Sequence, residues 1–576
     1  MTFDYTNIPH DFPRRFLPAQ VPFDWENLSR FFDQLKATPV ESEADLERWI
    51  ANENELNAVI YEQKALRMIN YSRQTDSQEY TKAYTEFIQE YDPRIKVASF
   101  ELSKKYVSAP ARKQLPRERF GNADRIRENA LSLFREANVP LEKDDAELQQ
   151  KYQNVLGAMT VPYRGEERTI QQMGRFLEET DRGVREEAWM LVQGRTLQDR
   201  VALDDIYSRM IEVRDRISRN SGFENYRDYV FRQKNRFDYT PEDCARFHDA
   251  VERYLVPLSR EMDKERMGDL GLETLRPWDL LADPLGRPPL APFADADELI
   301  AGCARVYRKV DSQLSGYFAR MMQLELLDLS SRKGKAPGGF QEEFAEARLP
   351  FIFMNAAKRD GDLRVLMHES GHSFHTFLMR DAKLPFYNAA MNLPSEFAEV
   401  ASTTMELVGG EHLEGTFYSA QDARRSNRAE VEGMIKLFTW VAAIDAFQHW
   451  VYTHPGHSTG ERAEEWSRIF SRFSGLESYE GFDDALRYRW QRQLHLFQFP
   501  FYYIEYGIAT IGALGIWLHY RRDPEGGIAA YKRALSLGSS KPLPKLFEAA
   551  ELKWGFGPDE VERYAGELKA LWTSLA

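Results

Sequence analysis

Apolar residues recur at intervals of three and four along most of the chain. In "DLERWIANENELNAVIYEQKALRMINYSR" (residues 45–73) and "YTKAYTEFIQEYDPRIKVASFELSKKYVSA" (80–109) the intervening positions are filled by charged and polar side chains. That period predicts long amphipathic helices with one buried stripe. "ADRIRENALSLFREAN" and "ELQQKYQNVLGAM" repeat it, and the pattern runs to about residue 265. It breaks at "RPWDLLADPLGRPPLAPF" (276–293), where five prolines predict an irregular connector. Helix resumes at "ADADELIAGCARVYRKV" and breaks again in "SSRKGKAPGGFQEEFAEARLPFIFMNAAK". There the Gly338-Gly339 turn and the apolar run Pro350–Met354 predict strands of a small sheet. From Leu363 the helical period returns almost to the end. The expected class is mostly α, with one small β element just ahead of a histidine cluster.

Composition narrows the picture. A chain of 576 residues exceeds one core and predicts about two to four domain-sized units. With 43% hydrophobic residues it can fill them, which excludes a disordered chain. The formal charge of −14 argues against a nucleic-acid surface and supplies no basic patch for anionic lipid. Cys244 and Cys303 are the only cysteines, so a disulfide framework is ruled out and a reducing compartment is favoured. The first twenty residues lack the apolar core of a signal peptide, and no apolar run reaches the ~18 residues of a membrane span. A cytoplasmic protein is expected.

The chemistry concentrates in "VLMHESGHSFHTF" (365–377), which holds three of the eleven histidines. His368-Glu369-Ser370-Gly371-His372 has the H-E-x-x-H spacing. On a helix, positions i and i+4 share one face, so two imidazoles can converge on one ion while the glutamate beside the first reaches a water there. That pattern points to a zinc hydrolase with Glu369 as general base. Gly371 costs helix propensity, which predicts that something approaches its backbone closely. A third protein ligand is required. Glu396, Glu399, Glu406, Glu411 and His375 are the candidates. His375 lies a further turn along, which suits a supporting or substrate-facing role better. In "NLPSEFAEVASTTMELV", Ser395 is the expected N-cap, placing Glu396 and Glu399 in the first turns of a second helix. Spacing alone does not choose between those two.

The cluster resembles the thimet oligopeptidase and oligoendopeptidase F family of zinc metallopeptidases, whose extended H-E-x-G-H-x-x-H motif is matched by His368, Glu369, Gly371, His372 and His375. The family's third ligand is a glutamate in a segment like "EFAEVASTTMEL", and the match falls on Glu399, twenty-seven positions after His372. Residues 152–190 look like the N-terminal segment of the oligoendopeptidase F branch, and "SGFENYRDYVF" (221–231) like the start of its catalytic region. "QLHLFQFPFYYIEYGIATIGAL" (493–514) resembles its substrate-side tyrosine helix. The resemblance implies a mostly α, two-lobed helical zincin with a deep central channel and a small β-sheet next to the metal site. It implies an N-terminal helical domain over 1–195, with the oligoendopeptidase F-like part at about 110–190, and a catalytic domain over 196–576. "PFIFMN" (350–355) resembles the edge strand that pairs with an extended substrate.

The expected activity is zinc-dependent cleavage of internal bonds in short oligopeptides. One Zn2+ per chain would be held by His368, His372 and Glu399, with Glu369 as base. His495, Tyr502 and Tyr506 would donate to the oxyanion. Pro500 is expected in the first turn of the tyrosine helix. Short peptides are the expected partners, without nucleic acid or membrane, and the chain would be a monomer or small homo-oligomer. Two alternatives keep the same residues. A carboxypeptidase-like exopeptidase would need a basic grip such as Arg489 or Arg492, and a non-catalytic peptide-binding protein would leave the site idle.

Overall fold

A computed structural model describes residues 4–12, 14–385 and 392–576. Long helices carry most of it. Those that matter for the site are α1 (Glu43–Arg73), α2 (Pro241–Leu270), α3 (Asp360–Asp381), α4 (Ser395–Gly410), α5 (Ala420–Thr453) and α6 (Tyr503–Arg522). A three-stranded sheet is formed by β1 (Leu327–Ser330), β2 (Phe340–Phe344) and β3 (Leu349–Ala356). The mostly α class is as the periodicity predicts, but a two-stranded antiparallel hairpin, Thr160–Tyr163 with Glu166–Thr169, interrupts the run expected to be helical and adds a second β element. Among the described residues no helix is long and apolar enough to cross a membrane.

The chain divides into two compact units, each assembled from three separate segments. The first comprises Met1–Ser132, Ala291–Ala423 and Gly512–Trp554. The second comprises Leu133–Leu290, Arg424–Ile511 and Gly555–Ala576.

In the first unit α1 starts at Ser42, whose side chain accepts from the Asp45 N–H while the Asp45 carboxylate accepts from the Ser42 N–H. Its apolar stripe, including Leu46, Trp49, Leu56 and Ile60, is buried in a cluster with Leu28, Phe32, Phe87 and Tyr106. That is the helical period of residues 45–73 realised as packing. The sheet corrects one expectation. Its order is β1-β3-β2, so "PFIFMN" lies in the central strand rather than at an edge. β3 pairs parallel with β1 (Leu327 opposite Ile352) and antiparallel with β2 (Phe340 opposite Phe353). Its residues Leu349–Met354 are all buried. An uninterrupted apolar run marks a strand covered on both faces and paired on both sides. The edges are β1 and β2, and along β2 the polar Gln341, Glu342 and Glu343 are half-buried.

The second unit contains α2 and α5. Trp189, Trp278 and Ala485 form a buried cluster there, with Tyr479 and Phe482 packed against it. Asp279 in the proline-rich segment is completely buried and accepts from both Arg182 (2.8 and 2.9 Å) and Arg185 (3.1 Å). The segment is irregular, as predicted, yet fixed by paired charges.

Candidate metal centre

All five residues of the H-E-x-x-H motif lie on α3. α4 packs directly on it, and Gly371 sets how closely. A Cβ on Gly371 would stand 2.5 Å from both the Ala401 carbonyl oxygen and the Ser402 Cα. The approach expected at this glycine is therefore that of the second helix. Ser395 does not cap α4: the N-cap is Pro394 and Ser395 is the first helical residue. The caps differ because Pro394 already sets a non-helical backbone there, with φ −60° and ψ 124°.

This packing brings three donors together. His368 Nε2 lies 3.3 Å and His372 Nε2 3.7 Å from Glu399 Oε2. One donor atom from each of the three falls within 4.8 Å of the others. Two imidazole nitrogens and a carboxylate oxygen facing one point fit a divalent zinc ion with an open fourth position. The Ser402 hydroxyl donates to the Glu399 carboxylate at 3.0 Å and steadies it. Glu396, in the first turn of α4, is not in this set.

On its other side, His368 Nδ1 meets Glu406 Oε1 at 2.7 Å. A carboxylate on the far ring nitrogen fixes the tautomer that leaves Nε2 free to ligate. Glu406 was only one ligand candidate among several in the sequence. Its spacing of seven from Glu399, two turns along one helix face, is the signal that pairs the two carboxylates with opposite sides of one imidazole. Glu411 is engaged elsewhere, accepting from the Trp517 indole at 3.0 Å. His375 is 2% exposed, lies beside the Phe397 ring and is not among the three converging donors.

Electrostatics separate the four central groups. Burial lifts Glu369 to about 7, with Glu399 and Glu406 adding to it and His368 and the Gln341 backbone opposing. Burial also pushes His372 down to about 4 and His375 to about 3. His368 is the exception. Burial works against its charge, but hydrogen bonds to Glu399 and Glu406 hold it well above the ordinary imidazole range. A cation is thus strongly favoured at this point, and a carboxyl poised near neutrality stands next to it.

In the second unit the structure brings His495, Tyr502 and Tyr506 together. The His495 ring lies 5.8 Å from that of Tyr502 and 5.9 Å from that of Tyr506, and the two tyrosine rings are 5.1 Å apart. Tyr503, which the sequence did not single out, is nearer to His495 at 4.8 Å. Pro500 is not in a helix. The short helix Leu494–Gln498 ends before it, Phe501 adopts φ 61°, and α6 begins at Tyr503. Two buried arginines hold this turn. Arg214 donates to the carbonyls of Leu496 (3.2 Å) and Phe497, and Arg236 to that of Phe501 and to Glu505 (2.7 Å). Gln493 sits 2.9 Å from His495 Nδ1 and in turn accepts from Trp440 at 3.0 Å. Arg489 is committed to an aromatic setting, bonding the Tyr479 hydroxyl and lying 4.9 Å from the centres of the Trp440 and Phe470 rings.

Donors at i and i+4 on one helix, a carboxylate from the next helix and an adjacent glutamate have the ligand spacing of a helical metal site. Residues 175–554 match the model of peptidase family M3, and residues 19–134 match the peptidase M3 N-terminal domain. The chain belongs to peptidase family M3. It is 24% identical over 227 residues to oligopeptidase PepF of Bacillus subtilis (strain 168), a match covering 39% of this chain and 33% of that relative. The chain thus spans about a third of the length of that curated relative. Two solved structures are similar over nearly the whole chain. A candidate oligoendopeptidase F superposes with TM-score 0.88 at 26% identity, covering 98% of each chain. PZ peptidase A with an inhibitor superposes with TM-score 0.87 at 26% identity, covering 98% of this chain and 99% of that one.

Proposed function

We propose that this protein is a zinc-dependent endopeptidase that cuts internal bonds of short peptides. The observation that carries the reading is the convergence of His368, His372 and Glu399 on one point, with the Glu369 carboxyl beside it. Zinc bound there would supply Lewis acidity, polarising the scissile carbonyl and acidifying a water molecule. Glu369, the carboxyl beside the three donors, would accept a proton from the attacking water and deliver it to the leaving amine. Glu406 fixes the His368 tautomer. His495, Tyr502 and Tyr506 are assigned as donors to the oxygen that becomes negative in the transition state. β2, one of the two outer strands of the sheet, is assigned to pair with an extended peptide backbone.

Short peptides are the substrates, and the cytoplasm is the compartment that a chain with two buried free thiols suits. A quenched peptide blocked at both ends tests the reading. It should be cut internally, lose turnover on chelation and recover it with zinc. No cleavage by the zinc-replete protein would sink it. Release only of terminal residues from an unblocked peptide would replace it with the exopeptidase reading.

A further inference from the structure

A second set of metal-ligating side chains lies in the second unit. α2 carries Cys244 and His248 one turn apart, and α5 carries Asp445 and His449 one turn apart. Ligand atoms of Cys244, Asp445 and His449 all fall within 4.8 Å of one another. His248 Nε2 meets Asp445 Oδ2 at 2.8 Å, while Asp445 Oδ1 has no hydrogen-bond partner among the described residues. His449 Nε2 lies 3.2 Å from Asp445 Oδ2 but makes no hydrogen bond either.

Asp445 is completely buried. Its Oδ1 is thus an interior carboxylate oxygen without a hydrogen-bond partner among the described residues, an arrangement that costs free energy unless something pairs with it. The rings of Phe231, Phe501 and Phe473 pack around the two imidazoles and keep the place dry. A buried thiol, a buried carboxylate and a partly exposed imidazole within reach of one ion, with an orphaned acceptor among them, are the parts of a metal site lacking only its charge.

We propose that Cys244, Asp445 and His449 form a second zinc site that ties α2 to α5, with His248 holding the carboxylate from outside. A thiolate and a carboxylate together balance a divalent ion, so the filled site is neutral. Sulfur and imidazole donors select zinc over magnesium or calcium. His248 plays the part that Glu406 plays for His368, fixing a ligand through its far atom. The site also bears on the tyrosine turn, because Gln448, next to His449, accepts from the Phe501 N–H at 2.5 Å.

Cobalt loading of the full-length protein tests this independently of peptidase activity. The first centre has no sulfur donor, so a thiolate-to-cobalt charge-transfer band in the near ultraviolet reports the second site alone. The band should appear in the wild type, persist in Glu399→Ala and vanish in Cys244→Ser. Zinc content should fall by about one ion per chain in Cys244→Ser. A cobalt-loaded wild type without the band overturns the proposal, and that measurement stands even if Cys244→Ser fails to fold. Unchanged zinc content in a folded Cys244→Ser overturns it as well.

Discussion

Gly371 and Ser402 mark the point where two helices touch with no side chain between them. The distance of 2.5 Å from a hypothetical Gly371 Cβ to the Ser402 Cα leaves no room for a methyl group. Both obstructing atoms belong to helix backbone, so neither can swing aside.

Gly371→Ala should therefore push α3 and α4 apart. The expected cost is about 1–3 kcal/mol of stability or more, as for other overpacked contacts. Glu399 moves away from the histidines with α4, so zinc retention after dialysis should drop too. Wild-type zinc retention and an unchanged melting temperature would contradict this account of the glycine.

Glu369→Gln is isosteric and leaves the three donors in place. Zinc content should stay near the wild-type value while turnover falls by roughly a hundred- to ten-thousand-fold, the usual span for general acid–base catalysis. A variant retaining most of its activity would remove Glu369 from the role of base.

Glu406→Ala frees the His368 Nδ1. Zinc affinity should weaken about 10- to 100-fold, measured by competition with a chromophoric chelator. Glu399→Ala should weaken it further, and Glu396→Ala should leave it unchanged. Equal affinity in the wild type and Glu406→Ala would make that carboxylate dispensable.

Tyr502→Phe and Tyr506→Phe each remove one donor from the His495 cluster. Loss of an oxyanion donor costs about 2.7–4 kcal/mol, or roughly a hundred- to a thousandfold in kcat, while KM moves little. At least one of the two should show this. Two near-normal variants would make the cluster a scaffold.

Asp328 gives a test of stability against pH. Burial works against its charge, but Arg332, Lys335 and Arg73 outweigh it and hold the carboxyl far below the usual range. A depressed carboxyl stabilises the fold above its unfolded pKa and loses that contribution as pH falls toward the folded one. The effect should be full above about pH 5 and fade below it. Asp328→Asn should cost about 3 kcal/mol at pH 7, since three cations lose their anion. It should also flatten the acid limb of the denaturation profile. An acid limb identical to the wild type would refute the assignment.

Much of this was legible in the sequence because it rests on local period. The stripe of residues 45–73 became α1, and the H-E-x-x-H spacing put His368 and His372 on one face. Choosing Glu399 over Glu396 took a resemblance, since both face the start of α4 and only the crossing of the helices separates them. Strand order was misread: the apolar run of 350–354 signals burial, which favours the middle of a sheet, and pairing partners carry no mark in the strand itself. Pro500 shows a similar limit. A proline suits a helix start and a turn equally, and Phe501 at φ 61° decided for the turn.

The segmented build of the first unit has a consequence for biosynthesis. α3 and α4 leave the ribosome more than a hundred residues before Tyr531 and Phe547. Yet the Tyr531 hydroxyl donates to the Ala401 carbonyl at 3.0 Å, and the Phe547 ring packs 5.7 Å from that of Phe397. The helix that presents Glu399 thus gains its backing only when residues 512–554 emerge. A nascent chain carries every residue of the metal centre for many seconds of synthesis before it can hold them in register.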